Sequence, residues 1–136
     1  MTAAQRAHVR VRIDFDAGPS IGPGKVALLE HIDSSGSLSQ AARDLGLSYR
    51  RAWNLLDDLN HAFSEPVVAT VTGGARGGGA RITPFGRKIV ERYRKVEKLA
   101  EQAADRHFKA LMAVRGATPE VRGKLRRPLA RPLKGA

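Results

Sequence analysis

A chain of 136 residues with 42% apolar side chains, only seven of its residues aromatic, can fill one modest core but leaves little interior for an enclosed substrate pocket, which weighs against an enzyme. Lys and Arg number 24 against 13 Asp and Glu, a formal charge of +11, which makes nucleic acid the leading partner among the polyanions that ribosomal, membrane-surface and heparin-binding proteins also meet. The absence of cysteine excludes a disulfide framework, a thiolate zinc site and a cysteine nucleophile; with no long apolar run and a polar start from Met1 to Arg12, a cytoplasmic protein without a membrane partner is expected.

In chain order, Val9, Val11, Ile13 and Phe15 alternate with Arg10, Arg12, Asp14 and Asp16, which predicts a strand buried on one face. Past the turn residues Gly18, Pro19 and Gly22, a first helix is predicted from Pro23 to Ser34, because proline is tolerated at a first helical position and Val26, Leu29 and Ile32 recur at helical spacing. Ser35-Gly36 interrupts it. Ser37 then opens a short second helix with Gln40 three residues on, the reciprocal capping-box arrangement, and Gly46 stands where a left-handed residue can end it. Ser48 caps a third helix whose buried stripe is Ala52, Leu56, Leu59 and Phe63, with Arg50, Asn54, Asp57 and His61 opposite and Arg51 on the flank. Trp53 neighbours the stripe and is expected to pack against the first helix.

Val67 to Val71 predicts a short strand after Pro66, and Ala80-Arg81-Ile82 its hairpin partner across a glycine-rich turn. Thr83-Pro84 is a cap and first-turn proline, so a last helix is expected to run to about Leu111, roughly 40 Å at 1.5 Å per residue. Ile89, Tyr93, Val96, Ala100 and Ala103 alternate by four and three, as at a coiled-coil seam, and predict a partner helix and a homodimer. From Arg115 onward seven Lys or Arg face one acid; taking that +6 from +11 leaves +5 for residues 1–114. The expected organisation is an N-terminal tail over 1–8, a winged helix-turn-helix domain over 9–83, a dimerisation helix over 84–114 and a basic tail over 115–136.

Two helices joined by a glycine turn are what a helix-turn-helix requires, and SLSQAARDLGLSYRRAWNLLDDLN supplies them. The major groove admits one helix, so Arg50, Arg51 and Asn54 are expected to read bases, Arg through guanine and Asn through adenine. Ser48 and Tyr49 suit phosphate or sugar, and Ser39 and Gln40 on the preceding helix complete that side. Asp57 and Asp58 favour docking by the N-terminal half of the helix. TGGARGGG lacks the Gly-Lys-Ser/Thr ending of a phosphate loop and precedes a strand, so residues 72–81 read as a wing in which Thr72, Arg76 and Arg81 meet the DNA backbone or minor groove. The alternatives are a solvated arginine face and a wing without contacts.

No catalytic or metal site is expected: His8, His31, His61 and His107 lack zinc-ligand spacing, and Asp57 and Asp58 point different ways on a helix. No cofactor is implied.

The order of elements, with SQAARDLGLSYRRAWNLL and the TGG-GGGA-T-G pattern, resembles the N-terminal domain of the ModE-type, molybdate-responsive transcription regulators over about Pro23 to Tyr93; the helix-turn-helix alone also resembles LysR-type regulators. The resemblance implies a dimer with winged helix-turn-helix heads joined through the long helix. Members of that family continue into small β-barrel domains that bind molybdate, whereas this sequence ends after a basic tail, so no molybdate binding is expected of this chain alone. The fold expected is mainly α with a small β hairpin. The function expected is sequence-specific transcription regulation; the alternative is an architectural, nucleoid-type protein with little sequence preference.

Overall fold

The computed structural model describes residues 6–71 and 79–113. In chain order they form α1 (Pro23–Ser35), α2 (Leu38–Asp44), α3 (Tyr49–Ala62), β1 (Val68–Val71), β2 (Gly79–Ile82) and α4 (Pro84–Ala113). The fold is mainly helical with one small antiparallel hairpin, the winged helix-turn-helix class with a long C-terminal helix. The chain divides into two units, His8–Gln102 and a second made of Met1–Ala7 with Ala103–Ala136. In the second, the Ala7 N–H donates to the Asp105 carboxylate at 3.0 Å.

The core of the first unit is made where three short helices turn small and aliphatic residues inward. From α1 come Val26, Leu28, Leu29 and Ile32, from α2 Leu38, Ala41 and Ala42, and from α3 Ala52, Leu56 and Leu59. Each large aliphatic side chain buried there contributes about 1.5 to 3 kcal/mol, and the alanines let α2 approach its neighbours closely. α1 starts at Pro23 and stops at Gly36, whose left-handed backbone (φ 69°) lets its N–H donate to Ile32 O at 2.8 Å.

The α2–α3 corner is closed by caps. Ser37 Oγ accepts the Gln40 N–H at 3.1 Å, but the reciprocal half of the expected capping box does not form. Gln40 is drawn down its own helix instead, donating to Asp44 at 2.8 Å and accepting from Arg43 at 2.9 Å, while the Ser37 N–H donates to Ser35 Oγ at 3.2 Å. At the other end Leu47 N–H donates to Ala42 O at 2.8 Å and Gly46 N–H to Arg43 O at 3.1 Å, with Gly46 at φ 69°; this is a Schellman turn, which consumes two carbonyls at the end of α2. Ser48 Oγ accepts the Arg51 N–H at 3.0 Å and so opens α3.

The hairpin pairs Val68 with Ile82 and Val71 with Gly79, and Ala80 N–H reaches Gly36 O at 3.2 Å, which ties β2 to the end of α1. Asn60, late on α3, accepts the N–H groups of Val67 and Val68 and donates to Val68 O, fixing the direction in which β1 leaves α3. Thr83 caps α4 by accepting the Gly86 N–H at 2.9 Å, and its hydroxyl donates back to Pro66 O at 2.8 Å. Gly86 passes so close to the base of the hairpin that a Cβ there would collide with Val67 O, just before β1, and lie 2.7 Å from Cγ1 of Ile82 at the end of β2.

The expected strand over residues 9–15 does not form. Val9, Val11 and Ile13 do alternate with exposed neighbours, but the only pairing is a bridge in which Ile13 and Ile21 exchange N–H···O bonds at 2.8 and 2.9 Å. Among the described residues no further strand lies beside this segment. It runs extended over the core, its Val11 carbonyl accepting the Tyr93 hydroxyl at 2.6 Å.

α4 is held to α1 by side chains of opposite charge. Arg94 forks onto Glu30 through Nε at 3.1 Å and a terminal nitrogen at 2.5 Å, and pairs with Glu97 at 2.6 Å; Arg87 pairs with Asp33 at 2.9 Å. Hydrogen bonds to Glu30 and then Glu97 push the Arg94 pKa further above its ordinary range. Phe63 links Phe15 and Phe85 in an edge-to-face chain with centroids 5.9 and 5.7 Å apart.

Candidate nucleic-acid interface

α3 buries Ala52, Leu56 and Leu59, and at 100° per residue its opposite face is centred between Arg50 and Asn54. Both are exposed, as are Tyr49 and Arg51. Neither Arg50 nor Arg51 has an ion-pair partner among the described residues, so both guanidinium groups keep all their donors for an external anion or base edge. The second half of the helix is different in charge. Asp57 is partly buried and lies 3.4 Å from His61, whose ring nitrogen also meets Asp57 O at 2.8 Å, while Asp58 is exposed. A phosphate backbone therefore finds attraction at the start of α3 and repulsion toward its end.

Around this face Ser39 is exposed on α2. Gln40 is partly buried and already bonded to Arg43 and Asp44, so it reaches a ligand only by giving up those bonds. The Ser48 hydroxyl accepts the cap hydrogen bond and keeps its own proton to donate. Arg81 is exposed on β2, opposite Ala69. Thr72 and Arg76 lie outside the described residues.

Trp53 stands otherwise than expected. It is 48% exposed instead of packed against α1, and Tyr49, one turn earlier, is 56% exposed. The helical wheel carries the signal: Trp53 lies about 90° from the middle of the buried stripe, on its flank and outside it.

The expected dimerisation residues divide. Tyr93 is 2% exposed within the core of its own unit, and Ile89 packs partly buried against that core. Tyr93 is therefore not available to a partner helix, and burial, reinforced by the Glu97 carboxylate, raises its phenol pKa above the ordinary 10.0. Val96 is 40% exposed and Ala100 partly buried; the neighbouring Leu99, outside the expected seam, is 54% exposed. Ala103, in the second unit, is exposed, as are Phe108 and Leu111 there.

Among the described residues no group of three or more His, Asp or Glu side chains could hold a metal ion, and no helix is long and apolar enough to cross a membrane.

No protein-family model matches the chain. Curated relatives do. The chain is 39% identical over 113 residues to the molybdenum transport protein ModE of Azotobacter vinelandii, a match covering 83% of this chain and 42% of that protein. It is 37% identical over 83 residues to the DNA-binding transcriptional dual regulator ModE of Escherichia coli, covering 61% of this chain and 32% of that one. With the molybdenum-pterin-binding protein MopB of Rhodobacter capsulatus the identity is 44% over 80 residues, or 59% and 30% of the two chains. The chain thus spans about two fifths or less of the length of these relatives. Over the matched segments, the chain is a homologue of the ModE-type proteins.

Proposed function

We propose that this chain is a sequence-specific double-stranded-DNA-binding transcription regulator acting as a homodimer. The observation that carries the proposal is the exposed start of α3, where Arg50, Arg51 and Asn54 project from a helix that a neighbouring helix and a Schellman turn hold at a fixed angle. In this reading the N-terminal half of α3 enters the major groove, Arg50 and Asn54 meet base edges, and Arg51, Tyr49, Ser48 and Ser39 meet phosphate and sugar. Residues 72–81 form the wing, with Thr72, Arg76 and Arg81 on the backbone or minor groove. The printed role of the Escherichia coli relative, a DNA-binding transcriptional regulator, supports it. The names of the Azotobacter and Rhodobacter relatives support target genes linked to molybdenum. The regulator reading also makes this chain a binding protein and not an enzyme.

Two copies double the contact area, and we propose that they associate along α4. Val96 and Leu99 offer the exposed apolar surface for this in the first unit, in place of Ile89 and Tyr93, which the core already uses. Half-sites are then expected about one helical turn, 34 to 36 Å, apart.

The formal charge of +11 favours one second reading, an architectural protein that coats DNA with little sequence preference. Selection of the full chain on a random duplex library separates the two. An enriched motif with two half-sites supports the regulator; recovery of duplexes without a motif supports the architectural protein.

A further inference from the structure

Viewed down its axis, the outward face of α3 has two unlike flanks. At 100° per residue Arg51 stands about 80° to one side of the Arg50–Asn54 centre and Trp53 about 80° to the other. One flank is cationic. The other carries the one tryptophan of the chain, 48% exposed, with the Tyr49 ring 56% exposed about 40° further round and one turn earlier. Placing a large apolar ring half in water costs hydration free energy without filling the core, and the core is closed without it: Ala52, Leu56 and Leu59 already occupy the inward face.

We infer that Trp53 is a specificity-determining residue, its indole packing against the 5-methyl group of a thymine in the major groove. The inference rests on the DNA-binding reading above and deepens it. Charge decides the occupant of this face, because Arg50, about 60° from Trp53 around the helix, and Arg51, on the opposite flank, have no ion-pair partners among the described residues and draw in a polyanion. Groove geometry decides what the ring meets. The major groove is about 12 Å wide and a helix with its side chains is about 10 to 12 Å across, so a flank residue lies in the angle between one sugar–phosphate wall and the floor of base edges, where the thymine methyl projects as the apolar group a large ring can cover. Phosphate would repay neither the indole body nor its burial. The asymmetry also orients the helix: the strand lying on the Trp53 side supplies the thymine, and the strand on the Arg51 side supplies the phosphates.

The test uses the full chain and a duplex recovered from the random library. Uracil replaces thymine one position at a time, which deletes only the methyl group. At one position per half-site the uracil duplex is expected to bind about fourfold more weakly, the ratio corresponding to one buried methyl-sized group. With Trp53→Ala, whose folding is verified by circular dichroism, the thymine and uracil duplexes bind alike. In the same titration the fluorescence of the single tryptophan shifts to the blue as the ring leaves water. Thymine and uracil duplexes that bind the unaltered chain equally at every position, with an unshifted emission, overturn the inference and leave the DNA-binding reading standing. Absence of binding to any duplex overturns both.

Discussion

The α2–α3 corner and the junction where β1, β2 and α4 meet are both tightly made, but from different materials. At the corner every bond joins residues a few positions apart: Ser37 to Gln40, Gly46 to Arg43, Leu47 to Ala42, Ser48 to Arg51. At the junction the partners are distant, with Thr83 bonded to Val67 sixteen residues back and Tyr93 to Val11 eighty-two residues back. The corner sets the angle of the helix proposed to read DNA, and the junction secures the hairpin and the long helix to it. A local device can be lost for little, because neighbouring caps and water still serve the helix ends. A long-range device is lost with everything it joins.

That contrast can be broken by substitution, and the largest effect belongs to the junction. Gly86→Ala drives a methyl into Val67 O and the Ile82 side chain, so a loss of about 3 kcal/mol is expected in urea unfolding. Asn60→Ala strips the side-chain partner from two backbone N–H groups and one carbonyl, and about 2 kcal/mol is expected. At the corner, Gly46→Ala places a side chain at φ 69°, where nothing lies within 4 Å of the new methyl, so the cost is the conformation alone, about 1 kcal/mol. A Gly46→Ala loss as large as that of Gly86→Ala would show that the local and distant devices do not differ in this way.

Tyr93→Phe sharpens the same comparison with the smallest change. Removing the hydroxyl leaves Val11 O without its donor, worth about 1 kcal/mol at neutral pH. Because burial and then Glu97 raise the phenol pKa above 10.0, the protonated form is the one that the fold favours. Its stabilisation is complete below pH 10 and is lost as pH climbs through the raised value. Stability curves of the two proteins should therefore converge above pH 10, and parallel curves across that range would contradict the placement of Tyr93.

The same division explains what could be read in advance. Caps and turns are local chemistry, so Gly36, Ser37, Gly46, Ser48 and the Thr83-Pro84 start of α4 are legible in the sequence, and the helix-turn-helix follows from them. Gln40 departs from the expected capping box because two polar neighbours on its own helix, Arg43 and Asp44, outcompete the cap. The alternation of residues 9–15 marks the partly buried side of Val9, Val11 and Ile13, although Phe15 is exposed, and it carries no information on whether a partner strand exists. Tyr93 has the spacing of a seam residue, and spacing alone does not tell a partner's helix from the chain's own core. Asn60 and Gly86 gave no signal, since their partners are fixed only once β1 and α4 are in place. For the candidate site, the exposure of Arg50, Arg51 and Asn54 follows from helical periodicity, while that of Trp53 required its angle to be weighed above its hydrophobicity.

The proposed base reading by α3 is tested most directly by the affinity of Arg50→Ala for a library-selected duplex and for a scrambled one at the same salt concentration. Loss of one guanidinium that pairs with a base edge is expected to weaken the selected duplex by about tenfold or more while the scrambled duplex changes far less. Equal losses on both would contradict base reading and reduce Arg50 to a phosphate contact.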